Sequence, residues 1–270
     1  MVIQGKEVSN KILSEIKDAL NKNKLEIHTV ALYFKGDEES KVYFQSIKKN
    51  ADKVGIDFKI TEVEPAKLID EIKRLNNDSQ TDSIIIARPF PEGIDPVEVS
   101  DSIDPDKDLD CISPYNLGKL NYKDYDVAPA TAKASIDILK YNGINLSGTN
   151  SLVINRSITV GRPLSQMLLN EDSTVTVAHS KTKNIEKLIE ESDIVFLAVG
   201  RAGYLKGSSI KSKKIIVDIG INVVENKVMG DFQMDGKFEH IDYTPVPGGV
   251  GTVTSAEILM NALKLKMRSK

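Results

Sequence analysis

Residues 153–163 read V-I-N-R-S-I-T-V-G-R-P. The stretch leaves an apolar run, S-L-V-I (151–154), and turns into a helical pattern near 162–170. It is therefore a strand-turn-helix whose first helical N–H groups suit phosphate oxygens. Downstream, T-V-T-V-A (174–178), I-V-F-L-A-V (194–199) and K-I-I-V-D-I (214–219) are short β-rich runs that alternate with helical segments, the second of them near 184–191. That is the doubly wound arrangement of dinucleotide-binding folds. The turn lacks G-x-G-x-x-G, and by spacing alone an ordinary strand-turn-helix reads the same way. The following strand adds the chemistry. In NAD-binding folds it usually ends in an acid that accepts from the ribose 2′-hydroxyl, but here it ends A-H-S-K-T (178–182), which offers donors and a cation. Such an end suits a 2′-phosphate and predicts NADP, with Arg156 and Ser180 as the preferred contacts. A lone His179 reads as a capped or packed imidazole before it reads as a catalyst.

The first half carries a second alternation. Residues 8–22 place Val8, Ile12, Leu13, Ile16 and Leu20 at helical spacing, and T-V-A-L-Y-F (29–34) is an apolar β-rich run. The unit repeats as a helix at 38–54, a strand at 58–63, a helix through 67–75 and the strand S-I-I-I-A (83–87). Strands and helices in this order predict a parallel sheet covered by helices. The stretch D-S-I-D-P-D-K-D-L-D-C-I-S-P-Y-N (101–116) breaks the pattern and reads as an ordered loop. A helix over 134–143 follows, with Gly143 suited to end it. Residues 254–267 read as a strong closing helix, opened by Thr254 with Glu257 three positions on in a capping-box pattern. The reading is an α/β chain with two lobes, an N-terminal parallel α/β domain (1–125) and a Rossmann-like domain (140–250), and periodicity alone does not assign the closing helix (253–270) to either lobe.

Composition excludes several classes of function. With 36 basic and 39 acidic side chains and a net charge of −3, no broad positive field exists to attract nucleic acid or an anionic membrane. The opening M-V-I-Q-G-K-E-V has neither an apolar signal region nor transit-peptide bias, and no apolar run reaches spanning length, so a cytoplasmic protein is expected. A single cysteine, Cys111, rules out an intrachain disulfide or a cysteine zinc cluster, and His28, His179 and His240 are too scattered for a ligand set.

Several segments together resemble the bifunctional methylenetetrahydrofolate dehydrogenase/cyclohydrolase family. They are S-K-V-Y (40–43) with G-I (55–56), R-P-F-P (88–91), P-D-K-D-L-D (105–110), N-x-G (116–118), R-S-I-T-V-G-R-P (156–163), H-S-K-T (179–182), D-I-G-I-N (218–222) and T-P-V-P-G-G-V-G-T-V-T (244–254). They run in the family's order over nearly the whole chain. The resemblance implies a folate cleft between two lobes, NADP on the second, the C-terminal helix returned to the first, a homodimer, and a place in the one-carbon metabolism behind purine biosynthesis. It also implies oxidation of 5,10-methylenetetrahydrofolate by hydride transfer to NADP, followed by hydrolysis of the methenyl product to 10-formyltetrahydrofolate.

Carried over residue by residue, the resemblance makes Tyr43 and Asp110 the catalytic and substrate-binding groups, Tyr43 to stack on or hydrogen-bond the pterin and Asp110 to accept from its N–H groups. Pro247, Gly248 and Gly249 complete the substrate set. The cofactor set is Asn155, Arg156, Ser157, Gly161, Pro163, His179, Ser180, Thr182, Gly200 and Ile221. No metal is expected. For Asp110 the other reading is a loop cap.

Two departures bear on the second reaction. The family's water-activating lysine lies four residues after the tyrosine, about 40° around an ideal helix, and here that position is Ile47. Lys48 and Lys49 lie about 100° and 200° further round from Ile47 and read as a solvated basic helix end. The glutamine that hydrogen-bonds the lysine in the family is here Ala87. Losing both partners together avoids a buried amide without a partner, a cost of about 1–3 kcal/mol. The leading expectation is a dehydrogenase with a weak or absent cyclohydrolase step. Beside it stand a non-catalytic folate- and NADP-binding relative, and an enzyme for a different small substrate in which Arg88, at a leucine position of the family, shapes the cleft.

Overall fold

The computed structural model describes residues 1–123, 125–225 and 227–268. The chain divides into two compact units, Met1–Ser9 with Thr131–Thr254, and Asn10–Ala130 with Ser255–Lys270. Both are α/β with parallel sheets.

In the unit centred on residues 10–130, α1 (Lys6–Asn23), β1 (His28–Phe34), α2 (Glu38–Val54), β2 (Asp57–Val63), α3 (Leu68–Asn76) and β3 (Ser83–Ile86) alternate as their apolar spacing predicts. The three strands form a parallel sheet in the order β2-β1-β3. The helices cover it with narrow apolar stripes: Phe44, Ile47, Ala51 and Val54 are the buried face of α2, and Leu68, Ile72 and Leu75 that of α3. Asp37 caps α2 by accepting the Ser40 N–H, and Gly55 ends it in the left-handed conformation that glycine adopts without strain.

The segment 101–116 is less irregular than expected. It takes in the end of α4 (Pro96–Ser102) and the start of α5 (Pro114–Lys119). Each short helix carries a side-chain cap, Asp95 and Ser113 respectively, followed by proline at its start. Those two signals were present in the sequence. The helices were too short for apolar periodicity to mark them.

The other unit holds α6 (Ala130–Tyr141), β4 (Asn150–Ile154), α7 (Gly161–Asn170), β5 (Thr174–Ala178), α8 (Ile185–Glu191), β6 (Ile194–Leu197), β7 (Leu205–Lys206), β8 (Lys214–Asp218), β9 (Asn222–Val224), β10 (Lys227–Met229), β11 (Phe232–Gln233) and β12 (Ile241–Tyr243). Five strands form one parallel sheet, β12-β8-β6-β4-β5, with the first strand of the unit, β4, inside it. Leu152, Ile154, Val195, Leu197, Ile216 and Ile241 from its strands share one buried cluster. The chain start belongs here: Val2 bridges Tyr243, and Gly5 donates its N–H to the Gly248 carbonyl at 2.8 Å.

The last helix, α9 (Val250–Arg268), begins four residues before the expected start. Thr254 is therefore inside it and does not cap it. Its hydroxyl donates back to the Val250 carbonyl at 3.0 Å, the usual partner of a threonine within a helix. Among the described residues no helix is long and apolar enough to cross a membrane, and no group of three or more His, Cys, Asp or Glu side chains is placed to hold a metal.

Candidate active site

In the unit centred on residues 10–130, the loop after β3 and the P-D-K-D-L-D segment are brought together by Asp108. Its buried carboxylate accepts the N–H groups of Ile112 and Ser113 at 2.9 and 2.8 Å and the Asn116 amide at 3.0 Å. Asp108 also forms a parallel bridge with Ile84 of β3. The loop-capping role weighed for Asp110 thus falls to its neighbour. Asn261 of α9 fixes the same segment by donating to the carbonyls of Leu109 and Ala128 at 3.0 and 2.8 Å. Periodicity placed Asn261 on a helix but gave no hint of this task.

With its backbone held on both sides, Asp110 turns its side chain to Arg88, and the two form an ion pair. Burial pushes the Asp110 carboxyl above the usual aspartate range, the Arg88 guanidinium opposes this, and the charge of Asp108 adds to it. Tyr43 shares the electrostatic environment. Although 42% of its surface is exposed, crowding by protein atoms raises the phenol well above its ordinary value, with Asp110 adding to the shift and Arg88 opposing it. Tyr43, Arg88 and Asp110 therefore form one coupled cluster.

Of the two positions at issue, Ile47 lies one helical turn from Tyr43 on α2 and Ala87 follows β3, and both are apolar. Ile47 has no exposed surface and Ala87 is 3% exposed. Lys48 is turned elsewhere: its ammonium donates to the Phe58 carbonyl at 3.0 Å and pairs with Asp52 at 3.3 Å. It is bound to β2 and its own helix and is not simply solvated as expected. Lys49 is exposed.

In the other unit, a cavity of about 530 Å³ opens at the ends of β4, β5 and β6. Asn155, Arg156, Ser157, His179, Ser180 and Thr182 line it, as do Val199, Arg201 and Tyr204. Six of the ten expected cofactor residues thus converge, and Arg201 and Tyr204 were missed. The His179 ring accepts the Lys181 N–H at 3.2 Å while Thr182 accepts the His179 N–H at 2.9 Å, so the imidazole shapes a turn. Arg156 and Arg201 bring two cations to a lining that, among the described residues, contains no Asp or Glu.

One expectation for the turn is corrected. The Gly161 N–H at the start of α7 does not point to open space: it donates to Asn155 Oδ1 at 3.0 Å, the Val160 N–H donates to Ser157 Oγ at 3.1 Å, and the Arg162 N–H donates to the Ser157 carbonyl at 3.0 Å. Pro163 has no N–H to offer. The N–H groups at this helix start thus have partners within the turn itself. Gly161 is required for another reason, because a Cβ there would lie 2.2 Å from the Asn155 carbonyl oxygen. Gly200 follows β6 with φ +72°, and Ile221 is exposed. Pro247, Gly248 and Gly249 lie in this unit, just before α9.

Residues 3–110 match the catalytic domain of tetrahydrofolate dehydrogenase/cyclohydrolase, and residues 129–270 match the NAD(P)-binding domain of the same family. The chain belongs to the tetrahydrofolate dehydrogenase/cyclohydrolase family. It is 40% identical to the bifunctional protein FolD of Caldanaerobacter subterraneus over 268 residues, 98% of this chain and 96% of that one. Among solved structures, the bifunctional 5,10-methylenetetrahydrofolate dehydrogenase/cyclohydrolase of Thermoplasma acidophilum superposes with a TM-score of 0.93 at 34% identity, covering 99% of this chain and 98% of the other. The Trypanosoma brucei FolD structure, complexed with NADP cofactor and an inhibitor, superposes equally well at 31% identity, covering 100% and 98%.

In this member of the tetrahydrofolate dehydrogenase/cyclohydrolase family, the cavity gathers Asn155, Arg156, Ser157, His179, Ser180 and Thr182, while Gly161, Pro163, Gly200 and Ile221 lie outside its lining. The other unit holds the Arg88–Asp110 pair beside Tyr43, with Ile47 and Ala87 buried.

Proposed function

We propose that this chain is an NADP-linked 5,10-methylenetetrahydrofolate dehydrogenase whose cyclohydrolase step is weak or absent. The carrying observation is Ile47: a fully buried hydrocarbon stands one helical turn from Tyr43, where the resemblance calls for an amine. Ala87 is buried as well, and the nearest lysine in sequence, Lys48, spends its ammonium on Asp52 and the Phe58 carbonyl.

The two reactions need different help. In the first, a folate nitrogen lone pair expels the hydride, so alignment suffices and no general base is required. In the second, water must lose a proton to a group of suitable pKa. Ile47 and Ala87 hold no such group. Tyr43 is a poor substitute, since its phenol is held protonated by burial and by the Asp110 charge. In this reading Tyr43 stacks on or donates to the pterin, and Asp110, steadied by Arg88, accepts from its N–H groups. Pro247, Gly248 and Gly249 shape the substrate loop.

The cavity fits a dinucleotide with a third phosphate, because Arg156, Ser180 and Arg201 offer cations and a donor while no carboxylate among the described lining residues repels it. Bound there, NADP supplies the hydride acceptor. Thr182 and His179 hold the turn that carries Ser180. A homodimer and a cytoplasmic setting belong to this reading through the resemblance.

The deciding experiment pairs two assays on purified protein. NADP reduction with methylenetetrahydrofolate should proceed, while methenyltetrahydrofolate should disappear no faster than in buffer. Enzyme-dependent hydrolysis abolished by Lys48→Ala would refute the proposal, and calorimetric binding of NADP and folate without turnover would favour a non-catalytic binding protein.

A further inference from the structure

Apart from Ile221, the motif D-I-G-I-N (218–222) has no place in the chemistry above, yet it forms half of a buried carboxylate network. Asp231 has no exposed surface. One of its oxygens, Oδ2, accepts the Val199 and Gly200 N–H groups at 2.5 and 3.0 Å, and Oδ1 accepts the Arg201 N–H at 2.8 Å and the Asn222 amide at 3.0 Å. Behind it stands Asp218, 2% exposed, whose carboxylate accepts the N–H groups of Gly220, Asp231 and Phe232 at 3.0, 3.0 and 2.8 Å. Glycine is needed beside each carboxylate: a Cβ on Gly220 would lie 2.2 Å from the Asp231 side chain, and one on Gly230 would lie 1.9 Å from the Asp218 side chain.

The three N–H groups on Asp231 belong to the segment that leaves β6, and Val199 and Arg201 of that segment line the dinucleotide cavity. Without an acceptor these N–H groups would have no partner in the β6 ladder, which ends at Leu197. Charge-assisted bonds from one buried carboxylate are strong and fix the direction of each peptide.

We propose that Asp231 is a positioning residue for nucleotide binding: by gripping the 199–201 backbone it sets the cavity wall from which Arg201 and Val199 meet the cofactor, with Asn222 orienting its carboxylate. The proposal rests on the assignment of this cavity to NADP. Asp231 itself does not touch the nucleotide. Its action is on the loop.

The test measures KM for NADP, KM for methylenetetrahydrofolate and kcat in the full-length protein and in two variants, with thermal melting as a check of folding. Asp231→Asn keeps one acceptor oxygen and puts an N–H₂ group against donors. It is expected to raise KM for NADP on the order of tenfold while KM for the folate stays within about twofold. Asn222→Ala removes one donor from a half-buried position and should raise KM for NADP by about threefold. It also decides the matter if Asp231→Asn does not fold. A purely structural role would lower the melting temperature and leave the ratio of the two KM values unchanged. Folded variants with wild-type KM for NADP, or with both KM values raised alike, would overturn the proposal. Failure of the unaltered protein to bind NADP would instead reject the cofactor assignment, and with it the premise.

Discussion

The guanidinium of Arg88 is paired with the carboxylate of Asp110, so the acid that the resemblance offers to a pterin already has a partner inside the protein. The pair is neither fully buried nor free, with side-chain exposures of 28% and 18%. Exposure at that level moderates both the desolvation cost and the Coulombic gain. The effect of the guanidinium is electrostatic: it opposes the burial that would otherwise favour a neutral Asp110. Any ligand that donates to this carboxylate shares it with Arg88.

Removing the charge of Asp110 should therefore affect folate and not NADP. Asp110→Asn keeps the shape, loses the anion and presents an N–H₂ group to Arg88. The expected result is a rise in KM for methylenetetrahydrofolate of about tenfold or more, as for loss of a charged hydrogen bond, with KM for NADP within about twofold. Steady-state kinetics with each substrate varied in turn checks it, and an unchanged folate KM would remove Asp110 from the site.

Arg88→Leu should make folate binding more sensitive to acid. In the unaltered protein burial raises the Asp110 carboxyl and Arg88 restrains the rise. Without Arg88 only the raising effects remain, so the carboxyl takes up its proton at higher pH and ceases to accept from the pterin sooner on acidification. A plot of folate KM from about pH 5 to 8 should turn upward at higher pH in the variant than in the parent. Coincident profiles would mean that Arg88 does not act through Asp110.

Much of this was legible in sequence because it depends on local periodicity. The strands β1 to β6 and β8 lie where apolar β-rich runs placed them, and α2 spans the residues its spacing predicted. The absence of an amine at Ile47 was likewise a matter of counting along one helix. What stayed hidden depends on contacts between distant residues. Nothing near Asn261 announces that its amide reaches back to Leu109, 152 residues earlier. The capping-box pattern at Thr254 is locally plausible, but the preceding V-G-T-V continues the helix and overrides it. The phosphate-ready helix start at Gly161 failed similarly, because Asn155 takes its N–H across the turn.

The Asp218 network should leave a mark on stability against pH. Burial raises the Asp218 carboxyl from 3.8 to about 6, the negative charge of Asp231 adds to the rise, and the Phe232, Asp231 and Gly220 N–H groups oppose it. A folded-state value above the unfolded one means that the folded protein holds this proton more tightly. Its contribution is then fully present below pH 3.8 and is lost as pH rises through about 6, roughly 3 kcal/mol in all. Asp218→Asn cannot titrate. Urea unfolding of both proteins should show a stability advantage of the parent over the variant that shrinks between about pH 4 and 7. A constant difference across that range would show that Asp218 does not titrate there.

Asn261 should be felt in the folate site although it lies on α9. Its two bonds to the carbonyls of Leu109 and Ala128 fix the backbone that carries Asp110. Asn261→Ala leaves both buried carbonyls short of a donor, a destabilisation of about 1–3 kcal/mol. The expected kinetic effect is a severalfold rise in folate KM with little change in KM for NADP. Loss of stability with unaltered folate kinetics would confine Asn261 to a structural role.

The strongest test of the site is to restore what it lacks. Ile47→Lys places an amine on the Tyr43 face of α2, and Ala87→Gln offers it an amide partner. Ile47 has no exposed surface, so the ammonium is desolvated and its pKa is lowered toward the range useful for taking a proton from water. The change costs stability, several kcal/mol for an unpaired buried charge and less with the glutamine in place. The double variant should therefore melt below the parent yet above Ile47→Lys alone. It should also hydrolyse methenyltetrahydrofolate measurably faster than buffer, while the parent does not. The pH–rate profile of that new activity should rise as the introduced amine loses its proton, at a pH below that of an ordinary lysine. A folded double variant with no hydrolysis would mean that more than one amine separates this chain from a bifunctional catalyst, and Arg88, at a leucine position of the family, would become the next position to revert.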